Sequence, residues 1–405
     1  MPAARFRLPL AACPLLGLLL AGCGSPSSLV GANTISVLVE QRDQLDPQDR
    51  AISRQGLLKG IADFRSFNPN VQVKLSKVSS AQLDNRLQDL YARGLLPDLM
   101  ILQTSTGGTS LLTFRQKNYI RAVTLTSNER REWRSKLLKP FEVANGYLAL
   151  PIFAYPNLAC FDTDKLARSP RSFDGLIKLG SSNVSMGMDA DFRQLLWLLS
   201  GFGNHAFVEG KGTSRPGSVR AFLEWIRLAS SQPGISFVED KNILHNGLIK
   251  GNFAWIPCQS RSLPSLKKAL GSRLGVGVMP TGPDVSPAPG LNLSIWAFGS
   301  QSSARQQYLA KDLALFGVNA IQQRNLALQM GTILPVNPYA SLPSKAYTGL
   351  RVIEQSSTTE VPLSMASQER LARVAPELQK LLGQVISGYS LPAEVAPQFE
   401  ELLKP

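Results

Sequence analysis

At 405 residues and 44.0 kDa, the chain is too long for one small module and suits two domains of ordinary size or one large α/β unit. With 44% hydrophobic and 18% charged residues it has a globular composition, which excludes collagen, a long coiled coil and wholesale disorder. The net charge is +14, and the two histidines, His205 and His245, stand too far apart for a His-x-x-x-His zinc pair, so neither a metal site nor a cofactor is expected.

At the amino terminus Arg5 and Arg7 precede an apolar stretch, Leu8 to Leu20, broken by Pro9, Pro14 and Gly17. It is too short and too broken to span a bilayer and suits a secretory signal. It runs into Leu20-Ala21-Gly22-Cys23, which resembles the lipobox of bacterial lipoproteins. The resemblance implies a signal peptide over 1–22, lipid attachment at Cys23 and a membrane anchor of several acyl chains. Residues 24–33 carry no charge, so 23–33 reads as a lipidated tether holding a domain clear of the membrane. Ser25, in place of an acidic residue, by resemblance to lipoprotein sorting in two-membrane bacteria permits outer-membrane as well as cell-membrane anchoring. The expected location is extracytoplasmic, and no later segment approaches eighteen uninterrupted apolar residues.

The basic residues are scattered. Their densest cluster, Arg130, Arg131, Arg134, Lys136 and Lys139, is interleaved with Glu129 and Glu132 and reads as a solvated helix face, not a nucleic-acid patch. With Cys13 in the signal and Cys23 lipidated, Cys160 and Cys258 remain. An oxidising compartment allows them to pair, and the sequence leaves the disulfide open.

Along the mature chain, Ile35, Val37 and Val39 mark a first strand that exits at Glu40-Gln41-Arg42-Asp43. Leu57, Leu58, Ile61, Phe64 and Phe67 follow at helical spacing, closed by Asn68-Pro69. Val71, Val73 and Leu75 give a second strand. Ser80 opens a helix carrying Leu83, Leu87 and Leu90 that Gly94 ends, and Leu99 to Leu102 is a third strand exiting at Gln103 to Gly108. This order predicts a mainly parallel sheet with ligand at the carboxyl ends of its strands. Farther on come a turn at Asn145-Gly146, a strand after Pro151, a helix opening at Ser172, an amphipathic helix over 221–229, and a strand at Phe253 to Ile256 after Lys250-Gly251-Asn252.

In this order, Phe67-Asn68-Pro69 with Val71-Gln72-Val73, Leu96-Pro97-Asp98-Leu99, Asn145-Gly146 to Pro151 with Ser172-Phe173-Asp174, and Lys250-Gly251-Asn252-Phe253-Ala254 resemble the extracellular solute-binding proteins of ABC importers, in the family of the maltose-binding protein. Ile333-Leu334-Pro335-Val336 and Ile386 to Ser390 before a last helix extend the likeness over nearly the whole mature chain. The resemblance implies an α/β fold of two lobes, 34–153 plus 289–335 and 154–288 plus 336–405, joined by crossovers near Pro151 to Asn157, Pro289, and Leu334 to Tyr339. It also implies a ligand cleft between the lobes, a hinge, action as a monomer, and ABC permease subunits as partners. The family's cleft positions fall on Arg42, Asp43, Gln103, Thr104, Ser105 and Tyr155, and on Asp189, Phe192, Gln259, Arg261 and Asn292. Such groups bond hydroxyls, and Tyr155 or Phe192 offers a face to a sugar ring, although phenylalanine is more often core and aspartate more often a helix cap. Where the family's sugar binders often carry tryptophan, this chain has Arg261, and Leu371 to Gln384 holds no aromatic. That departure favours a small sugar or polyol over a long oligosaccharide and leaves room for an anionic solute. Trp255 and Trp296 are the alternative stacking groups, with core the plainer reading.

Enzyme signatures are missing: there is no Gly-x-Ser-x-Gly and no P-loop, and Gly201-Phe202-Gly203-Asn204-His205-Ala206 follows a helical run rather than a strand. The chain is therefore expected to bind and not to catalyse. A lipid-anchored envelope or sensory protein on the same fold is the alternative.

Overall fold

The computed structural model describes residues 33–41, 47–104, 110–210, 213–286, 288–345 and 347–404. The signal segment, Cys23 and the tether through residue 32 lie outside them, as do the candidate site residues Arg42, Asp43 and Ser105. No helix among the described residues is long and apolar enough to cross a membrane.

The chain opens with β1 (Thr34–Gln41), α1 (Pro47–Phe67), β2 (Gln72–Ser79), α2 (Leu83–Ala92) and β3 (Leu99–Thr104). Strand β1 pairs in parallel with β2 on one side and β3 on the other, the arrangement that helical crossovers produce. Asp98 fixes the start of β3: only 3% exposed, it accepts from the backbone N–H and the hydroxyl of Ser36, each at 2.8 Å. Helix α1 begins at Pro47, well before its apolar spacing starts at Leu57. Its polar first turns are held by a tertiary contact described below, which overrides the weak local pattern.

Strand β4 (Ala149–Tyr155) belongs to the same first sheet; after Pro156 the chain continues as β5 (Asn157–Asp162) in a second sheet with β6 (Met186–Asp189), β7 (Ile235–Val238), β8 (Trp255–Gln259) and β9 (Leu274–Gly277). Helices α3 (Ser218–Ser230) and α4 (Leu263–Leu270) accompany this second sheet. The chain then returns to the first sheet as β10 (Asn292–Gly299), followed by α5 (Ala304–Val318), α6 (Ala320–Met330) and β11 (Leu334–Pro335). It ends with α7 (Thr348–Thr359), α8 (Met365–Ser387) and α9 (Pro392–Leu403). The spatial orders are β11-β4-β10-β3-β1-β2, with Ile120–Arg121 paired to β10, and β7-β6-β8-β5-β9. Pairs within the βαβ units run parallel, while the strands that carry the crossovers, β4, β5 and β10, pair antiparallel with their neighbours. The architecture is α/β and two-lobed.

The three connections between the sheets meet at one carboxyl group. Glu360 Oε2 accepts from the N–H of Asn157 at 3.0 Å, Ala288–Pro289 runs parallel to Glu360–Val361, and Gly290 approaches so closely that a Cβ there would lie 2.4 Å from Glu360 Oε2. Buried in this junction, the Glu360 carboxyl is pushed well above the usual carboxylate range by desolvation. Helix α7 packs on β5, β9 and β11 and so touches both sheets. Cys160 and Cys258 are disulfide-bonded across β5 and β8, with Cα atoms 5.8 Å apart.

The basic run is not one solvated helix face. It divides into two short helices, Ser127–Arg130 and Ser135–Leu138, separated by a turn, because Trp133 and Leu137 bury themselves between the charges. Arg134 Nε donates to the Pro335 carbonyl at 3.1 Å and Lys136 Nζ to the Glu360 carbonyl at 3.4 Å. Both cations therefore serve the junction rather than water.

Candidate functional site

The carboxyl ends of β1, β3 and β4 face the turn that follows β8, so residues from the two sheets meet along one line. At its centre stands Arg261, in the turn Ser260–Ser262 and only 4% exposed. Its guanidinium carbon lies 4.1 Å from the centroid of the Tyr155 ring, and one terminal nitrogen donates to Gln103 Oε1 at 3.1 Å. Gln103 donates in turn to Ser294 Oγ at 2.6 Å, and its backbone N–H is held by Glu40 Oε2 at 2.8 Å. Burial pulls the Arg261 pKa down from its ordinary value, and Tyr155, Glu40 and Asp49 oppose that shift. The stack on Tyr155 is a cation–π contact in a desolvated setting, which strengthens it.

A second link crosses beside it. Asp49, in the first turn of α1 and 1% exposed, accepts from the N–H of Ser265 at 3.1 Å and its hydroxyl at 2.8 Å. Ser265 lies in the first turn of α4, where a carboxylate is favoured by unsatisfied N–H groups and the helix dipole. These two links tie the first sheet to the second and hold the cleft shut.

On the other side of the line, between β10 and the turn Phe192–Gln194, lies a cavity of about 20 Å³ lined by Thr104, Asn157, Arg193, Gln194, Asn292 and Gln368, with Gly290 among its backbone walls. Its polar side chains are four amides, a hydroxyl and the Arg193 guanidinium, beside apolar Pro289, Leu291 and Leu363, and Arg193 Nε–H is buried without an acceptor among the described residues. A space of that size holds about one water, so a solute enters only when the lobes separate.

Of the residues expected at the site, Gln103, Tyr155 and Arg261 come together, and Thr104 and Asn292 line the cavity. Gln259 ends β8 opposite Asn157. Asp189 sits at the carboxyl end of β6, 6% exposed, and does not line the cavity. Phe192 requires a correction. Its ring is fully buried and packs edge-on against Phe399 and Phe222, with centroids 5.2 and 6.4 Å away. Its backbone N–H is pinned by Gln379 Oε1 at 2.8 Å, so the ring faces the core and Arg193 and Gln194 face the cavity. Trp255 and Trp296 are also core, and Trp255 Nε1 donates to Ser169 Oγ at 2.9 Å. The sequence reading missed Arg193, Gln194 and Gln368. The first two adjoin Phe192, and Asp191, which accepts from the Arg193 N–H at 3.0 Å, is the capping signal that marks the turn.

Asp189 makes folding stability pH-sensitive. Desolvation raises its carboxyl to about 6, although nearby Lys241 pulls the other way. The folded protein keeps this proton to about pH 6 while the unfolded chain gives it up near 3.8. Between those values the folded state binds more protons, so stability falls as pH rises, by about 3 kcal/mol in total. Asp189→Asn is expected to remove that fall, raising the urea midpoint above pH 6 and leaving it nearly unchanged at pH 4.

Comparison with known proteins agrees with the two-lobed fold. Residues 59–350 match the family model described as bacterial extracellular solute-binding protein. A cyclo/maltodextrin-binding protein complexed with maltotetraose superposes with a TM-score of 0.73 at 14% identity, covering 91% of this chain and 96% of that one. The maltose-binding protein of Listeria monocytogenes gives 0.70 at 19% identity over 91% and 96%. UgpB of Mycobacterium tuberculosis, solved with glycerophosphocholine, gives 0.70 at 17% over 90% and 96%. No curated protein matches the chain by sequence. With well over half its length matched by the family model, the chain belongs to the bacterial extracellular solute-binding proteins.

Proposed function

We propose that the chain is exported, lipidated at Cys23, and captures a small hydroxyl-rich solute, a sugar or polyol, between its lobes for delivery to the permease of an ABC importer. The observation that carries this reading is the cavity in which Thr104, Asn157 and Asn292 face Arg193, Gln194 and Gln368. Amides, a hydroxyl and a guanidinium supply both donors and acceptors, as a hydroxyl-bearing ligand requires. The structural neighbours solved with maltotetraose, maltose or glycerophosphocholine are consistent with it, as is a disulfide, which suits an oxidising compartment. The Tyr155 ring is covered by Arg261, so an extended oligosaccharide would find no open aromatic face there. This same feature favours a second reading, an anionic solute that draws Arg261 off the ring.

A thermal-shift screen of residues 24–405 against sugars, polyols, phosphorylated sugars and organic anions separates these readings. A solute at one hundred times its Kd is expected to stabilise the chain by about 2.7 kcal/mol. Asn292→Ala and Arg193→Ala are each expected to weaken its binding about tenfold, the cost of leaving a buried polar partner unmet. Stabilisation by organic anions alone, lost in Arg261→Ala, would establish the second reading. No stabilisation by any solute would favour an envelope or sensory role instead.

A further inference from the structure

The amino ends of β1, β2 and β3 lie opposite the cleft, and hydrogen bonds gather them with the start of α5. The Asn33 carbonyl accepts from the Gln72 N–H at 2.9 Å and its side chain accepts from Arg305 at 3.1 Å. Close by, the Leu96 N–H donates to Gln301 Oε1 at 3.1 Å. Between the start of β3, the end of β10 and the first turns of α5 lies a cavity of about 200 Å³. It shares no lining residue with the interlobe cavity, and Gln103, Tyr155 and Arg261 are not among its walls.

Arg121, Lys311, Thr124, Ser302 and Tyr308 line this cavity, with Asp98 its one carboxylate. Asp98 is already engaged by Ser36, and Lys311 by Glu129 at 2.8 Å. Among the described residues the Arg121 guanidinium has no hydrogen-bond or ion-pair partner, and Ser302 Oγ is buried without one. An open guanidinium near an unpaired hydroxyl complements an oxyanion, a phosphate above all. The surface around the cavity is not that of a site for a free anion. Tyr308 is 63% exposed and carries the Arg305 guanidinium 5.6 Å from its ring centroid, and Phe67 and Leu95, at the same end of the lobe, are 74% and 42% exposed. Exposed rings and an aliphatic side chain among arginines suit the headgroup level of a bilayer.

We propose that this cavity takes the phosphate headgroup of an anionic phospholipid, with Arg121 and Ser302 on the phosphate and Tyr308, Phe67 and Leu95 against the bilayer surface. The inference rests on the lipid anchoring proposed above: residues 24–33 separate this end from Cys23, and ten residues reach at most about 33 Å. A cavity of about 150 Å³ accepts benzene, so this one has room for a phosphate and its first ester carbons. The cleft, at the other end of β1, then faces away from the membrane and stays open to solute.

Co-sedimentation of residues 24–405 with vesicles tests the site without relying on acylation, and the mass of the chain extracted from membranes tests Cys23 separately. Phosphatidylglycerol vesicles are expected to carry the chain down at low salt, and phosphatidylcholine vesicles are not. Arg121→Gln with Arg305→Gln is expected to weaken that binding by about fivefold for each arginine, with the melting temperature unchanged. Lys268→Gln with Arg373→Gln removes equal charge from exposed positions of the second lobe and is expected to weaken it by less than about twofold, because distant charges are screened. A dye attached in Ser66→Cys is expected to be quenched by spin-labelled lipid more strongly than one attached in Ser387→Cys. The proposal is overturned if the two double variants lose binding equally, if phosphatidylcholine serves as well, if the two dyes are quenched alike, or if no vesicle binds. Glycerol 1-phosphate binding as tightly as the vesicles would also overturn it, making the cavity a site for a free anion.

Discussion

A chain with both Cys160 and Cys258 replaced by alanine is expected to lose about 2–5 kcal/mol of stability, read as a lowered urea midpoint. The bridge joins positions 98 residues apart, and closing a loop of that size removes about 4.7 kcal/mol of unfolded-state entropy in the chain-entropy model, with measured losses typically smaller. The two cysteines sit diagonally on one face of the β5–β8 pair, where Cys160 opposes Ile256 and Cys258 opposes Leu158. They are 0% and 5% exposed, so reductant in the native state is expected to act slowly and the alanine variant is the cleaner probe. An unchanged midpoint would mean that the thiols are not bonded in the purified protein.

Phe192→Ala is expected to cost about 3–5 kcal/mol, the range for deleting a buried ring, while leaving solute affinity within about threefold of the original chain. The ring is packed between Phe222 and Phe399, on α3 and α9, so its loss opens a hole between the second sheet's outer helices. Arg193 and Gln194 keep their places because Asp191 and Gln379 hold the turn through backbone N–H groups. Denaturant unfolding and calorimetry on the same variant separate the two effects. A large loss of affinity with little loss of stability would return Phe192 to the binding surface.

Local pattern made the first half of the chain readable. The helical spacing from Leu57 to Phe64 comes from one-sided burial, which writes a period into the sequence, whereas β1, with Leu38 as buried as Ile35 and Val37, shows itself as a short apolar run. The cleft rim was legible to the extent that strand ends in such sheets gather ligand groups, which placed Gln103 and Thr104 on it; Tyr155 and Arg261 came only from the family resemblance. What stayed hidden depends on contacts between distant segments. The start of α1 at Pro47 rests on Asp49 meeting Ser265, 216 positions away. The cover of Arg261 on Tyr155, the turn that buries Phe192 while presenting Arg193, and the anchoring of Lys136 at Glu360 arise the same way, from pairings that no periodicity encodes.

The links Arg261 to Gln103 and Asp49 to Ser265 describe a closed cleft whose cavity of about 20 Å³ admits no sugar, so function requires an opened state that solute draws shut. Small-angle scattering of residues 24–405, with and without the solute that gives the largest thermal shift, tests this directly. The account predicts a larger radius of gyration without solute, compaction on its addition, and loss of that compaction in Asn292→Ala at the same solute concentration. An identical radius of gyration in both states, alongside saturable binding, would contradict capture by lobe closure.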